Sequence, residues 1–122
     1  MRIEQFFLDG LGHQSYLITD ESAHMAAVVD PRRDIDIYLH AADATNAQIT
    51  HVFETHVHND YITGARELRE RTGAIIVNAA SAGLAYEHHG VSDGDHIAVG
   101  ALTFAVLATP GHTPDHVSYA LY

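Results

Sequence analysis

Two histidines and an aspartate, His56, His58 and Asp60, are the residues of this chain best suited to chemistry. They come directly after residues 48–54, whose alternating apolar pattern predicts a β-strand. In extended backbone every second side chain points to the same side, so these three would face one way. Zinc and iron(II) both accept imidazole nitrogen and carboxylate oxygen as ligands. The group therefore indicates one side of a metal site, and a polar turn whose side chains bond to the backbone is the alternative.

A rigid loop later in the chain carries another histidine. In residues 109–114 (Thr-Pro-Gly-His-Thr-Pro), two prolines and a glycine hold His112 at the end of a predicted strand. Such rigidity suits a metal ligand, which must be held at a set angle, whereas an exposed histidine in a plain Pro-Gly turn is the alternative. His116 follows four residues later, and its position fits the edge of the same site and the solvent face of a strand equally well.

Composition excludes several classes of function. The 122 residues carry a net charge of −10 with His neutral, and all six cationic side chains are Arg. We therefore expect no nucleic-acid or membrane partner, since anionic surfaces require a basic patch, and we interpret the acidity as an aid to solubility. The absence of Cys excludes disulfides, thiolate metal sites and a Cys nucleophile. With no signal-peptide pattern and no long apolar run, we expect a cytoplasmic protein.

The order of predicted elements indicates a layered α/β or α+β fold. Apolar periodicity and turn residues predict strands at 3–8, 14–19, 25–30, 49–54, 74–78, 96–99, 102–108 and 116–122, and helices at 34–45, 63–72 and 79–87. We expect Thr63 to cap the second helix and Gly73 to end it, and a hairpin to turn at Gly100. Strand 74–78 is nearly all apolar, which is typical of a strand buried on both faces.

Two stretches together, residues 55–64 and residues 109–114, resemble the metallo-β-lactamase superfamily. Leu17-Ile18 and residues 28–31 (Val-Val-Asp-Pro) are similar to its early strands. Within the superfamily, the chain most resembles the glyoxalase II and persulfide (sulfur) dioxygenase branch, including its rhodanese-linked members. The resemblance covers the whole chain and implies an αββα sandwich, of which this is the N-terminal half, with a metal site along one edge.

The resemblance also implies a ligand set. His56, His58 and His112 correspond to the family's first-metal imidazoles, and Asp60 corresponds to a residue that binds a second ion in two-metal hydrolases. In persulfide dioxygenases the iron ligands correspond to His56 and His112 plus a later Asp, which leaves His58 as a ligand or a neighbour.

One residue departs from that pattern, because Tyr61 stands where the family has another histidine. A phenol, with a pKa of about 10, is a poor ligand near neutral pH, so we expect one transition-metal ion, iron(II) or zinc. Asp60 would then act as a base, orient water on the metal or hold His58.

The function expected from these residues is that of a metal-dependent hydrolase or oxygenase of thiol metabolism. It would act on a glutathione thioester with metal-activated water, or on a glutathione persulfide with O₂. The family's bridging Asp lies beyond Tyr122, so we expect a single domain, truncated at its C-terminus, that associates with a completing chain or forms a homo-oligomer. A non-catalytic metal-binding or interaction module is the alternative.

The remaining charged and polar residues receive simpler interpretations. Asp30 corresponds by resemblance to a buried carboxylate that braces the histidine loop, and Arg32 and Arg33 are interpreted as solvated, with anion contacts as the alternative. The histidines without a spacing partner are assigned to the surface; they are His13, His24, His40, His51, His88, His89 and His96.

Overall fold

Nine strands and two helices make up the described part of the computed structural model, which comprises residues 1–8, 13–55, 63–79, 88–109 and 117–122. Their bounds, in chain order, are β1 Arg2–Leu8, β2 His13–Asp20, β3 Met25–Val29, α1 Asp36–Ala44, β4 Gln48–Phe53, α2 Ala65–Thr72, β5 Ile75–Ala79, β6 His89–Val91, β7 His96–Val99, β8 Leu102–Ala108 and β9 Val117–Leu121.

The larger sheet has six strands in the order β1-β2-β3-β4-β5-β6. Strands β1, β2 and β3 pair antiparallel, whereas β3, β4, β5 and β6 pair parallel. Parallel neighbours need a crossover connection, and α1 and α2 supply the connections on either side of β4. Because parallel strands run the same way, the carboxyl ends of β3, β4 and β5 meet at one edge of the sheet, where open α/β sheets bind their ligands.

Two apolar layers hold the described elements together. One lies between the helices and the larger sheet and includes Tyr38, Leu68 and Val52. The other lies between the larger sheet and the three-stranded sheet β7-β8-β9, where the rings of Phe53 and Phe104 stack with centroids 4.2 Å apart. The alternation of Val52 and Phe53 between these layers shows that β4 is buried on both faces. The described layers are therefore helix, sheet and sheet.

Most predicted elements are confirmed, with differences at their ends. Helix α1 is shorter than expected and begins at Asp36, with Ile35 as its N-cap. Helix α2 begins at Ala65, and its N-cap is Gly64 rather than the expected Thr63. The Thr63 hydroxyl oxygen nevertheless accepts a hydrogen bond from the Ala65 amide at 3.2 Å. Gly73 ends α2 in the left-handed conformation, with φ 76°.

Two differences concern β5 and β6. Ala79, expected to open a helix, is the last residue of β5, and the rest of that predicted helix lies outside the described residues. Strand β6 was not predicted, because three residues beginning His-Gly carry no strand periodicity. Among the residues that the structure describes, no helix is long and apolar enough to span a membrane.

Candidate metal centre

The predicted ligands fall on two segments that lie outside the described residues. His56, His58 and Asp60 belong to residues 56–62, and His112 belongs to residues 110–116, as does His116. The structure does describe the residues that enter and leave both segments. These flanking residues show how the carboxyl edge of the larger sheet is built.

The entry to the 56–62 segment is fixed by Asp30, the first residue after β3. Its backbone adopts φ 50°, and its amide donates to the Phe53 carbonyl at 2.8 Å. Its carboxylate accepts hydrogen bonds from the Thr55 amide at 2.9 Å and the Thr55 hydroxyl at 2.7 Å. Thr55 directly precedes His56, so the bracing role that the family resemblance assigns to Asp30 agrees with these contacts.

The exit from the same segment is held by Glu54, whose side chain is fully buried. One carboxylate oxygen accepts a hydrogen bond from the Thr63 hydroxyl at 2.8 Å. The other accepts from the side-chain amide of Asn78 on β5 at 2.9 Å. One side chain therefore joins the end of β4, the approach to α2 at Thr63 and the end of β5.

A glycine is required where the chain enters α2. A Cβ at Gly64 would collide with the Arg32 carbonyl oxygen and the Ile35 side chain, and the Gly64 amide donates to the Pro31 carbonyl at 3.3 Å. The loop after β3 and the start of α2 therefore pack backbone against backbone. Arg32 and Thr63 are held at the same edge of the sheet as a result.

The two histidine-bearing segments begin and end beside each other. The amide of Val117, directly after the 110–116 segment, donates to the carbonyl of Thr55 at 2.7 Å. The hydroxyl of Tyr119 donates to the Glu54 carbonyl, also at 2.7 Å. Strand β9 of the smaller sheet is thus bonded directly to the end of β4. The flanking residues of both histidine-bearing segments therefore meet at one edge of the fold.

The carboxylates of Asp30 and Glu54 both lie near the Tyr119 hydroxyl. Burial is the main cause that raises the pKa of Tyr119 above its usual range, and the charges of Asp30 and Glu54 raise it further. The phenol therefore stays protonated and serves as a donor to the Glu54 carbonyl. Two carboxylates close to one buried hydroxyl also create a negative potential that favours a cation at this edge.

The side chains expected as ligands have the donor atoms that a transition-metal ion accepts. Within the described ranges, no group of three or more His, Asp or Glu side chains is arranged to hold a metal. A metal site in this chain would therefore draw on the histidines of 56–62 and 110–116, whose flanking residues the Thr55–Val117 hydrogen bond brings together. Neutral imidazole is a good ligand for zinc and iron, and the nearby carboxylates add favourable charge.

Two surface assignments from the sequence are wrong. His51 is half-buried because the alternation of β4 places it on the inner face with Phe53, whose ring it stacks on at 5.8 Å. Burial lowers the pKa of His51, and the nearby His89 lowers it further. His88 is also partly buried. The side chain of His13 lies outside the described residues, and the other assigned histidines are exposed as expected.

Arg32 also departs from its expected solvated state, whereas Arg33 is exposed as expected. The Arg32 side chain is partly buried, and its Nε atom is buried with no hydrogen-bond partner in the described part of the chain. Its backbone amide donates to the Tyr38 hydroxyl at 2.7 Å. The close packing of the loop after β3 against Gly64 explains why this arginine is withdrawn from solvent.

A cavity of about 440 Å³ lies away from this edge, at the amino end of β5. It is lined by Arg69, Gly73, Ala74, Ile75, Ile76, His88 and His89. Its position beside the last turn of α2 separates it from Thr55, Thr63 and Val117. We therefore do not assign it to the candidate metal centre.

Sequence reasoning missed three residues that shape the edge: Glu54, Asn78 and Tyr119. Asn78 is the polar residue of an otherwise apolar strand, Glu54 directly follows β4, and both are fully buried in the structure. That placement was the available signal, because a buried polar group needs a partner. Tyr119 gave no such signal, since a tyrosine in an alternating strand is ordinary.

Comparisons with known proteins agree with this architecture. Residues 8–121 match the sequence profile of the family described as the metallo-beta-lactamase superfamily. The hydroxyacylglutathione hydrolase of Rhodospirillum rubrum is 34% identical over 108 residues, covering 85% of this chain and 41% of that protein. The hydroxyacylglutathione hydrolase of Rhodopseudomonas palustris is 34% identical over 121 residues, covering 98% of this chain and 46% of that protein.

Solved structures give the same result. The protein named ETHE1 from Myxococcus xanthus superposes with a TM-score of 0.92 at 42% identity, covering 99% of this chain and 54% of that one. A metallo-beta-lactamase from Staphylococcus aureus subsp. aureus COL superposes with a TM-score of 0.91 at 35% identity, covering 100% of this chain and 38% of that one. The chain thus spans between 38% and 54% of these relatives, and the predicted fold class is confirmed.

Proposed function

This chain belongs to the metallo-β-lactamase superfamily, and from that membership we propose that it contributes a single-metal site to an enzyme of thiol metabolism. The observation that carries the proposal is the hydrogen bond from the Val117 amide to the Thr55 carbonyl. It joins the end of one histidine-bearing segment to the start of the other. Histidines that are distant in sequence can therefore contribute to one site.

His56, His58 and His112 would hold the metal, iron(II) or zinc, and Asp60 would act beside them. When bound, such an ion supplies Lewis-acid chemistry, lowering the pKa of water and polarising a carbonyl. Asp60 would accept or deliver a proton, or hold His58 in one orientation. Tyr61 occupies the position of a second-site imidazole, which supports one ion rather than two.

The hydrogen-bonded residues at the flanks of the 56–62 segment would keep it in place during turnover. Asp30 holds Thr55 through two hydrogen bonds, and the Tyr119 hydroxyl holds the Glu54 carbonyl. Rigid support of this kind keeps reacting groups within a fraction of an ångström of a productive geometry. The shared negative charge of Asp30 and Glu54 would strengthen cation binding.

The substrate class we propose is a small thiol-derived molecule, first of all a glutathione thioester. Two relatives at 34% identity are named hydroxyacylglutathione hydrolases, which supports thioester hydrolysis. Oxygenation of a glutathione persulfide is the second candidate, and Tyr61 favours it because it supports a single metal ion.

Metal analysis combined with two activity assays tests the proposal. The chain would be purified, its metal content measured, and portions reconstituted with Fe²⁺ or Zn²⁺. Zinc with hydrolysis of S-lactoylglutathione supports the hydrolase, and one equivalent of iron with O₂ uptake on glutathione persulfide supports the oxygenase. Metal binding without turnover of either substrate would favour the non-catalytic module. Absence of metal binding after reconstitution would overturn the proposal.

A further inference from the structure

We propose that Glu54, Thr63 and Asn78 form a positioning clamp that sets the geometry of the 56–62 segment for metal binding. The inference rests on the proposed function, because it assigns these three side chains a role towards the ligands between them. None of the three would touch the metal or the substrate. They would act through His56, His58 and Asp60, whose segment begins and ends at the clamp.

The hydrogen bonds of the clamp permit one arrangement of donors and acceptors. The Thr63 oxygen accepts from the Ala65 amide at 3.2 Å, so its hydroxyl proton is free to be donated to Glu54 at 2.8 Å. The Asn78 carbonyl oxygen accepts from the Ala79 amide at 2.8 Å, which directs its NH₂ group to Glu54 at 2.9 Å. Glu54 therefore accepts on both oxygens, and a glutamine in its place would set its NH₂ group against one of the two donors.

Burial makes this arrangement rigid. Glu54 and Asn78 are fully buried, and Thr63 is 6% exposed, so water cannot easily replace a lost partner. The backbone on both sides is also fixed, because the Glu54 amide donates to the Val77 carbonyl at 2.9 Å. On the far side, Gly64 packs against the Arg32 backbone. The separation between Glu54 and Thr63 is thus restrained by the Glu54 side chain and by the backbone contacts on both sides.

The clamp also links the end of β5 to the candidate centre. The Asn78 side chain bonds to the Ala79 amide and to Glu54, so three elements share one chain of hydrogen bonds. Groups that orient metal ligands without binding the metal characteristically change metal affinity by tenfold to a hundredfold when altered. The same range is expected for loss of the clamp.

A matched pair of threonines at the two ends of α2, Thr63 just before it and Thr72 in its last turn, separates this role from simple stability. Thr63 and Thr72 each accept a hydrogen bond from the amide two residues later, Ala65 at 3.2 Å and Ala74 at 3.1 Å. Thr63 bonds to Glu54, whereas Thr72 lies at the other end of the helix and bonds to the Leu68 carbonyl. Replacing either by valine removes a hydroxyl of the same kind.

The experiment measures the Kd for Zn²⁺ in the metal-stripped chain and its variants, at a temperature where all are folded. Thr63→Val should raise the Kd about tenfold to a hundredfold, and Thr63→Ser should keep it within about threefold, because serine keeps the hydroxyl. Thr72→Val should lower the unfolding temperature about as much as Thr63→Val does, because each loses one hydroxyl. It should leave the Kd within about threefold of the unaltered chain. Thr63→Ala repeats the test should the valine variant not fold.

The outcomes separate the clamp from the function on which it rests. An unchanged Kd in a folded Thr63→Val or Thr63→Ala chain would overturn the clamp and leave the metal site standing. An equal rise in Thr72→Val would show that the effect is one of stability and would also overturn it. Absence of Zn²⁺ binding by the unaltered chain would overturn the proposed function and the clamp together.

Discussion

Hydrogen-bonded carboxylates that are buried or partly buried stand at both ends of the six-stranded sheet, and the two ends differ in what those carboxylates bind. At the carboxyl end of β3 and β4, Asp30 and Glu54 bind Thr55 and Thr63, which flank the histidine segment. At the opposite end, Asp20 closes β2 and accepts hydrogen bonds from Ser22 at 2.8 Å and from the Ala101 amide at 2.7 Å.

The difference teaches that a buried carboxylate does not by itself mark a functional site. Asp20 joins a turn to the β7–β8 hairpin, and the three residues that it bonds, Ser22, Ala23 and Ala101, flank no histidine-rich segment. Those amide and hydroxyl donors lower the pKa of Asp20, the Ala101 amide most of all. Asp30 and Glu54 make bonds of the same kind to the flanks of a segment with two histidines. The two ends of the sheet therefore differ in whether the residues bonded by the carboxylates lie next to one of the two histidine-bearing segments.

The largest contrast is expected between the two aspartates. Asp30→Asn removes a negative charge behind the candidate centre and should weaken Zn²⁺ binding about tenfold or more. Asp20→Asn should change the affinity for Zn²⁺ by less than about threefold, although it loosens the hairpin contact. Calorimetric titration of both metal-stripped variants measures this. Equal losses of affinity would show that the two ends do not differ in function.

Gly64 and Gly100, one at each end of the sheet, allow the two ends to be compared through packing instead of charge. A Cβ at Gly64 would collide with the Arg32 carbonyl and Ile35, and one at Gly100 would meet the Asp20 carboxylate at 2.6 Å. Each alanine variant should lower the free energy of unfolding by about 1–3 kcal/mol, with added backbone strain at Gly100, where φ is 60°. Denaturant unfolding measures both.

Metal affinity then separates the glycines. Gly64→Ala should also weaken Zn²⁺ binding, because the collision displaces the residue next to Thr63. Gly100→Ala should leave Zn²⁺ binding unchanged, because Gly100 packs against Asp20 at the opposite end of the sheet. The comparison fails if Gly64→Ala is destabilised as expected but binds Zn²⁺ as tightly as the unaltered chain.

The smallest effect is expected from Tyr119. Tyr119→Phe removes the hydrogen bond to the Glu54 carbonyl and should cost about 1 kcal/mol of unfolding free energy. Burial raises the pKa of Tyr119 and also that of Tyr38. A group whose pKa is raised by folding stabilises the fold fully below its unfolded value, about 10, and that stability is lost as pH rises above it.

Unfolding free energies measured between neutral and strongly alkaline pH test this expectation. The unaltered chain should lose stability above about pH 10, and Tyr119→Phe should lose less, because one buried phenol is gone. Asp20→Asn should keep the alkaline dependence of the unaltered chain. An identical alkaline profile for Tyr119→Phe would contradict the buried state of that hydroxyl.

Much of the architecture was predictable because it follows from local patterns. Alternation in β4, the apolar run of β5 and the glycine after α2 fixed these elements to within two residues of their observed ends. Both histidine-bearing loops were placed at strand ends, which indicated a common edge, and the hydrogen bond between their flanking residues Val117 and Thr55 agrees with that. Strand β6 was missed because its three residues carry no periodicity and depend on pairing with β5.

The support of the candidate centre was only partly predictable. Asp30 was identified through resemblance, and its bonds to Thr55 agree with that. Glu54 and Asn78 were missed because their pairing depends on the alignment of β4 with β5, which a sequence pattern does not define. The ligands His56, His58, His112 and Asp60 stay predictions, as does association with a second chain.

Titration of the metal-stripped chain with Zn²⁺ tests the central claim most directly, with His56→Ala, His112→Ala and His40→Ala compared in the same experiment. His40 is an exposed histidine on α1, and it serves as the matched control. We predict one equivalent of Zn²⁺ bound by the unaltered chain and by His40→Ala, and loss of binding in both other variants. Unchanged binding in His56→Ala and His112→Ala would contradict a metal centre at this edge of the sheet.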